Sequence, residues 1–161
     1  MEAIQKLTML LMALAIHFVS SEDASPGWEK FANSYYSFSD EIVSWIDAVQ
    51  YCQMYDAHLV HINDGKEDDY IIKSMKGRGI TVAWTGATER LHRGSWVWMP
   101  SGEPMGRFVN WYGTEPLGQD DDCMVVDSGY SYRWADTACT FSYRFICEKE
   151  ITQKPQNGSG Y

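Results

Sequence analysis

The 161-residue chain carries 45% hydrophobic and 14% aromatic residues, with 7 Trp and 10 Tyr, enough apolar surface for one core and too much for a disordered chain. The formal net charge of -9 excludes nucleic acid and anionic membrane surfaces as partners, because both need a basic face.

Residues 1–21 read as a secretory signal peptide: Lys6 precedes an apolar run from Leu7 to Val19, and Ser20 and Ser21 supply small residues for cleavage. The run is shorter than the ~20 apolar residues a membrane span needs, and His17 interrupts it. No later stretch is long and apolar enough to span, so the expectation is a secreted, extracellular product starting at Glu22. Glu2 and Lys6 cancel, so the mature chain keeps the charge of -9. Four cysteines follow, Cys52, Cys123, Cys139 and Cys147, and an even number in an exported chain indicates disulfides. Clustered C-x-x-C pairs of the zinc-binding kind are absent, and spacing alone leaves all three disulfide pairings open.

From Trp28 to Phe38 aromatic and polar residues alternate, which predicts early strands. From Ser44, the positions Trp45, Ala48, Val49, Cys52 and Tyr55 fall on one face of a helix with Cys52 inward. Leu59, Val60 and Ile62 form a brief apolar segment. Asp64 with Glu67 then resembles a capping box, and Tyr70, Ile71, Ile72 and Met75 make the buried face of a second helix ended by Gly77 and Gly79. Beyond it lie short β-prone segments at Ile80–Trp84, Ser95–Trp98, Cys123–Val126, Tyr132–Trp134 and Tyr143–Cys147, separated by Gly-, Pro- and Asp-rich connections. Helices in one half and antiparallel strands in the other predict an α+β domain over residues 22–150, followed by a flexible polar tail over 151–161 that contains the sequon Asn157-Gly158-Ser159. Between Met99 and Asp122 the chain has little periodicity but holds Phe108, Trp111 and Tyr112, which predicts an ordered binding loop.

Catalysis has no support in the residues. The mature histidines are His58, His61 and His92, the first two are expected on opposite faces of a strand, and no Gly-x-Ser-x-Gly elbow occurs. A glycosidase could pair Asp121 with Asp136, but nothing in the sequence signals a raised pKa at either. The expectation is a binding protein and not an enzyme.

The run of Pro26-Gly27-Trp28, Trp45 with Ala48 and Cys52, Trp84-Thr85-Gly86, Trp96-Val97-Trp98, Phe108-Val109-Asn110-Trp111, Glu115-Pro116, Asp121-Asp122-Cys123, Trp134-Ala135-Asp136, Cys139 and Cys147 resembles the C-type lectin family over about Pro26 to Glu148. The resemblance implies the short form of that fold: two helices, antiparallel sheets, a long ordered loop region, and the pairs Cys52 with Cys147 and Cys123 with Cys139. It also implies a cis Glu115–Pro116 bond. On general burial tendencies, Trp84, Trp96, Trp98, Trp111 and Trp134 are expected in the core rather than on a sugar-stacking surface.

In that family a sugar-binding calcium is held by a Glu-Pro-Asn segment, an acid two residues before the next cysteine, and a Trp-Asn-Asp motif. Carried over, the metal ligands are Glu115, Asp121 and Asp136, and the carbohydrate-binding set is Glu115, Gln119, Asp120, Asp121 and Asp136. On charge clustering alone, Asp120-Asp121-Asp122 reads as a solvated loop; its place in the family's loop gives it a metal-binding role. Leu117 and Ala135 depart from the pattern, since neither side chain can coordinate a cation or bond a hydroxyl. Two readings follow: a secreted, calcium-dependent lectin that binds glycans in innate immune recognition, or a calcium-independent relative that binds a protein or mineral. A homo-oligomer is compatible with either.

Overall fold

The computed structural model describes residues 27–118 and 122–151. The expected signal peptide, the polar tail from 152 with its sequon, and Gln119, Asp120 and Asp121 lie outside the described residues.

The aromatic alternation after Trp28 forms a hairpin, β1 (Glu29–Phe31) and β2 (Ser34–Phe38), in antiparallel register with Glu29 opposite Tyr36. Ser44 caps α1 (Trp45–Gln53) by accepting from Asp47 N, and the helix buries Trp45, Ala48 and Cys52. Tyr55, expected on the same face, lies beyond the helix end and is 48% exposed. The chain has already turned there: Asp56 is left-handed (φ 52°), and Ala57 N donates to Cys52 O.

After the short β3 (His58–Leu59), Asp64 caps α2 (Gly65–Arg78) by accepting from Lys66 N and Glu67 N. The capping box closes one residue early, because Glu67 accepts from Asn63 N (2.8 Å) and from the Tyr36 hydroxyl (2.7 Å). Gly77 lies inside the helix, and it is Gly79 (φ 65°) that ends it, with Ile80 N donating to Met75 O. Ile80 thus belongs to the cap, and the strand expected from it begins later, at β4 (Val82–Thr88).

Further on come β5 (Val97–Trp98), β6 (Glu103–Pro104), β7 (Cys123–Asp127), β8 (Arg133–Thr137) and β9 (Arg144–Glu150). Strand β9 pairs antiparallel with β2 and β3 but parallel with β4, Ala83 opposite Arg144 and Trp84 opposite Phe145. The sheet is therefore mixed where antiparallel pairing alone was expected. Parallel neighbours need a long crossover, and the chain between β4 and β9 is one: it contains the whole loop region and the β7–β8 hairpin, which pairs back onto β4.

Two apolar clusters lie under this frame. One gathers Tyr36, Val60, Ile71, Met75, Trp98 and Trp134, and the other Trp45, Leu59, Trp84, Val125, Ala135 and Phe145. Trp84, Trp98 and Trp134 are buried as expected, while Trp96 and Trp111 are half-buried and meet edge to face at 5.0 Å. Gly86 lets β4 pass close to β3, since a Cβ there would lie 2.7 Å from Leu59 O. Cys52 joins Cys147, tying α1 to β9, and Cys123 joins Cys139 beneath the loops. The His58 and His61 rings, expected on opposite faces, sit 4.0 Å apart. Strand β3 stops at Leu59, so strand alternation does not reach His61. Among the described residues, no helix is long and apolar enough to cross a membrane.

Candidate functional site

The long loop is fastened to β8 by two backbone bonds: Trp134 N donates to Asn110 O (3.0 Å), and Tyr112 N donates to Trp134 O (2.9 Å). The chain then turns, with Glu115 N donating to Tyr112 O (2.8 Å), and passes through the cis Glu115–Pro116 bond. This turn carries the next two amides onto β8. Leu117 N donates to Asp136 Oδ1 (2.9 Å) and Gly118 N to Asp136 Oδ2 (2.8 Å), while the Leu117 side chain stays 59% exposed.

Glu115 and Asp136, expected as ligands, are thereby brought together, and their carboxyl groups are in hydrogen-bonding contact. Burial pushes the Asp136 pKa up, but the bonds from Glu115, Gly118 N and Leu117 N outweigh it and hold the group below the usual carboxylate range. Two converging acids, one buried and ionised, suit a hard cation bound through oxygen. Among the described residues no group of three or more His, Cys, Asp or Glu is arranged to hold a metal. A full shell would draw on Asp121, outside the described residues, and on backbone carbonyls and water. Ala135 faces the second apolar cluster and is 1% exposed, on the opposite side of β8 from its neighbour.

Sequence reasoning missed several polar groups. Glu89, directly after β4, is 3% exposed; its amide donates to Asp122 O, its Oε2 accepts from Gly94 N, and its Oε1 has no hydrogen-bond partner among the described residues. That oxygen lies 3.7 Å from where a Cβ on Gly118 would sit, so Glu89 borders the loop. Its one signal was a charge placed at the end of an apolar strand. Asp68 on α2 accepts from Trp134 Nε1 (2.8 Å) and from Asn110 Nδ2 (2.7 Å). Far from the loop, Tyr36, Glu67 and Glu148 form a buried network in which Glu148 also accepts from His61 N. Burial, the largest cause, drives the Glu67 pKa up to about 7, and the His61 pKa is lowered to about 4, chiefly by burial and then by the nearby His58.

A disulfide-braced α+β domain whose long loop is held against a neighbouring strand by a pair of acids defines a C-type-lectin-like domain. The chain belongs to the C-type lectin family, a family of carbohydrate-binding domains: the Lectin C-type domain pattern matches residues 41–149. It is 33% identical to asialoglycoprotein receptor 2 of Rattus norvegicus over 153 residues, covering 89% of this chain and 48% of the receptor. Among solved structures, it superposes on the mouse scavenger receptor C-type lectin carbohydrate-recognition domain with a TM-score of 0.73 and 32% identity, covering 82% of this chain and 100% of that one. It also superposes on a calcium-independent type II antifreeze protein with a TM-score of 0.70 and 25% identity, covering 79% of this chain and 94% of that one. The chain spans about half the length of the curated relatives it matches.

Proposed function

We propose that this protein is a secreted lectin that binds glycans in a calcium-dependent way through a Glu-Pro-Leu/Trp-Ala-Asp site, that it acts in innate immune recognition, and that it carries out no catalysis. The observation that carries this reading is the convergence of Glu115 and Asp136 across the cis Glu115–Pro116 turn. Residues 1–21 would be the signal peptide, 22–150 the binding domain and 151–161 a tail. In the metal shell, Glu115, Asp121 and Asp136 would be the ligands, and Gln119 and Asp120 would join them in contacting the sugar. A bound calcium would supply coordination positions for neighbouring sugar hydroxyls. The protein's own part is to hold the Asp136 carboxylate ionised beside Glu115 and to keep the intervening loop shaped for the sugar. With Leu117 and Ala135 in place of amide ligands, calcium would bind more weakly than in members that keep both, with a dissociation constant on the order of 10⁻⁴ to 10⁻³ M, the range of extracellular modules. The test is retention on immobilised monosaccharides in calcium followed by elution with chelator; retention that ignores chelator overturns the reading.

One observation favours the calcium-independent alternative, with a protein or mineral as ligand. Both Asp136 oxygens already accept loop amides, so the loop can close without an ion. Elution behaviour separates the two readings.

A further inference from the structure

We propose that Asp68, on α2, is a positioning residue that sets the geometry of the binding site. The inference rests on the site assigned above but reads a different part of the molecule. Asp68 stands in the first turn of α2, one turn after the cap, with its amide donating to Asp64 O. It is 3% exposed, and each of its carboxylate oxygens takes one side-chain donor: Trp134 Nε1 at 2.8 Å and Asn110 Nδ2 at 2.7 Å. A buried carboxylate is costly unless its oxygens are bonded, and both of these partners come from the segments that build the site.

Those two segments are the ones whose relative position matters. Asn110 leads through Tyr112 into the Glu115 turn, and Trp134 stands two residues before Asp136 on β8. They are joined directly by Trp134 N to Asn110 O and Tyr112 N to Trp134 O. Backbone bonds fix the spacing of two strands but leave them free to shift together against the rest of the domain. The charge-assisted bonds from Asp68 remove that freedom by fastening both to the end of a helix that is itself packed in the core through Ile71 and Met75. The aromatic rings complete the fixture: Trp134 meets Phe108 at 5.6 Å and Trp111 at 5.8 Å, both edge to face. Residues 115–118 can then reach Asp136 with Leu117 N and Gly118 N aligned on its two oxygens. The helix thus acts on the site through two hydrogen bonds without touching a ligand.

The carboxylate can be replaced by an amide of the same shape. In Asp68→Asn one side-chain oxygen can still accept, but the NH₂ must face a second donor, so one bond is lost and a clash of donors replaces it. The double variant Asp68→Asn/Asn110→Asp reverses that pair, letting the amide at 68 donate to a half-buried carboxylate at 110 while still accepting from Trp134. The decisive readout is hydrogen exchange of the Leu117 and Gly118 amides in the full chain without added calcium, followed by calcium titration of the same samples. Asp68→Asn is expected to lower protection of these two amides by ~10-fold or more, the scale of one hydrogen bond to a charged group, with β2 and β9 amides unchanged. The double variant is expected to restore it. If Asp68→Asn does not fold, Asn110→Ala removes one bond only and should give the same local loss. Unchanged protection at Leu117 and Gly118, loss spread evenly over the domain, or no rescue by the double variant each overturns the proposal. Because the exchange is read without calcium, a wild-type chain that fails to bind calcium refutes the metal reading and leaves this one standing on its own result.

Discussion

The half of the domain built on α1, β2 and β9 and the half built on the long loop are held by different forces. In the first, Trp45, Ala48, Leu59 and Phe145 are nearly or wholly buried, and a 95-residue disulfide separation ties helix to last strand. In the second, Leu117, Tyr112 and Val109 are exposed, and order comes from amides on Asp136, indoles on one another and a bridge spanning 16 residues. Apolar burial is directionless and makes a stable frame, whereas directional hydrogen bonds onto Asp136 hold an exposed loop in one shape. Stability and binding should therefore respond to different substitutions.

The largest separation is expected from the disulfides. Removing Cys52 and Cys147 together should cost about 4 to 5 kcal/mol and unfold the domain at physiological temperature, because the closed loop is long. Removing Cys123 and Cys139 should cost about 3 kcal/mol and loosen the loop half first, so calorimetry combined with proteolysis near Gly118 should distinguish them. Equal losses with simultaneous cleavage would break the distinction.

Asp136→Asn should abolish calcium binding by titration calorimetry while lowering stability by only about 1 to 2 kcal/mol, since an amide can accept from one of the two loop N–H groups but not both. Global unfolding would place Asp136 in the frame and not in the site.

A pH effect should reside in the frame. Burial favours the protonated form of Glu67 in the folded state, raising its pKa from 4.5 to about 7. A carboxyl raised on folding contributes stability at pH below its unfolded value, and that contribution is lost as pH rises from about 4.5 to about 7. Glu67→Gln, which stays neutral, should therefore melt higher relative to wild type at pH 7.5 than at pH 4.5, about 3 units apart. His61, whose folded pKa is lowered, works in the opposite direction over an overlapping range, so only the difference between variant and wild type isolates Glu67. A constant difference would remove the acid network from the account.

The smallest effect is at Leu117. Its side chain is 59% exposed, so Leu117→Asn should change stability by less than about 0.5 kcal/mol. The added amide oxygen should tighten calcium severalfold, read by titration.

The two halves also differed in how far the residues disclosed them. Helical periodicity from Trp45 and the cap at Asp64 placed the two helices, because amphipathic spacing and capping are local signals. The parallel pairing of β4 with β9 was not legible, since neighbours 61 residues apart in the chain leave no mark on local alternation (Ala83 to Arg144 in sequence). In the site, Glu115 and Asp136 were recognisable only through the order of motifs around them. Asp68 is in sequence a first-turn acid of α2, favourable to the helix dipole, and nothing adjacent discloses that Trp134 and Asn110 meet it. Glu89 was hidden for the same reason: a charge at a strand end is commonplace until burial is known.

The central claim, a calcium site at Glu115 and Asp136, is tested most directly by melting the wild-type chain in about 10 mM calcium and again in chelator, with Asp136→Ala run alongside. At roughly 10 to 100 times the dissociation constant, binding to the folded state adds about 1.4 to 2.7 kcal/mol, a rise of roughly 5 to 10 °C for a domain of this size. The account predicts that rise in the wild type and its absence in Asp136→Ala; superimposable wild-type curves, with sugar still bound in chelator, would contradict it.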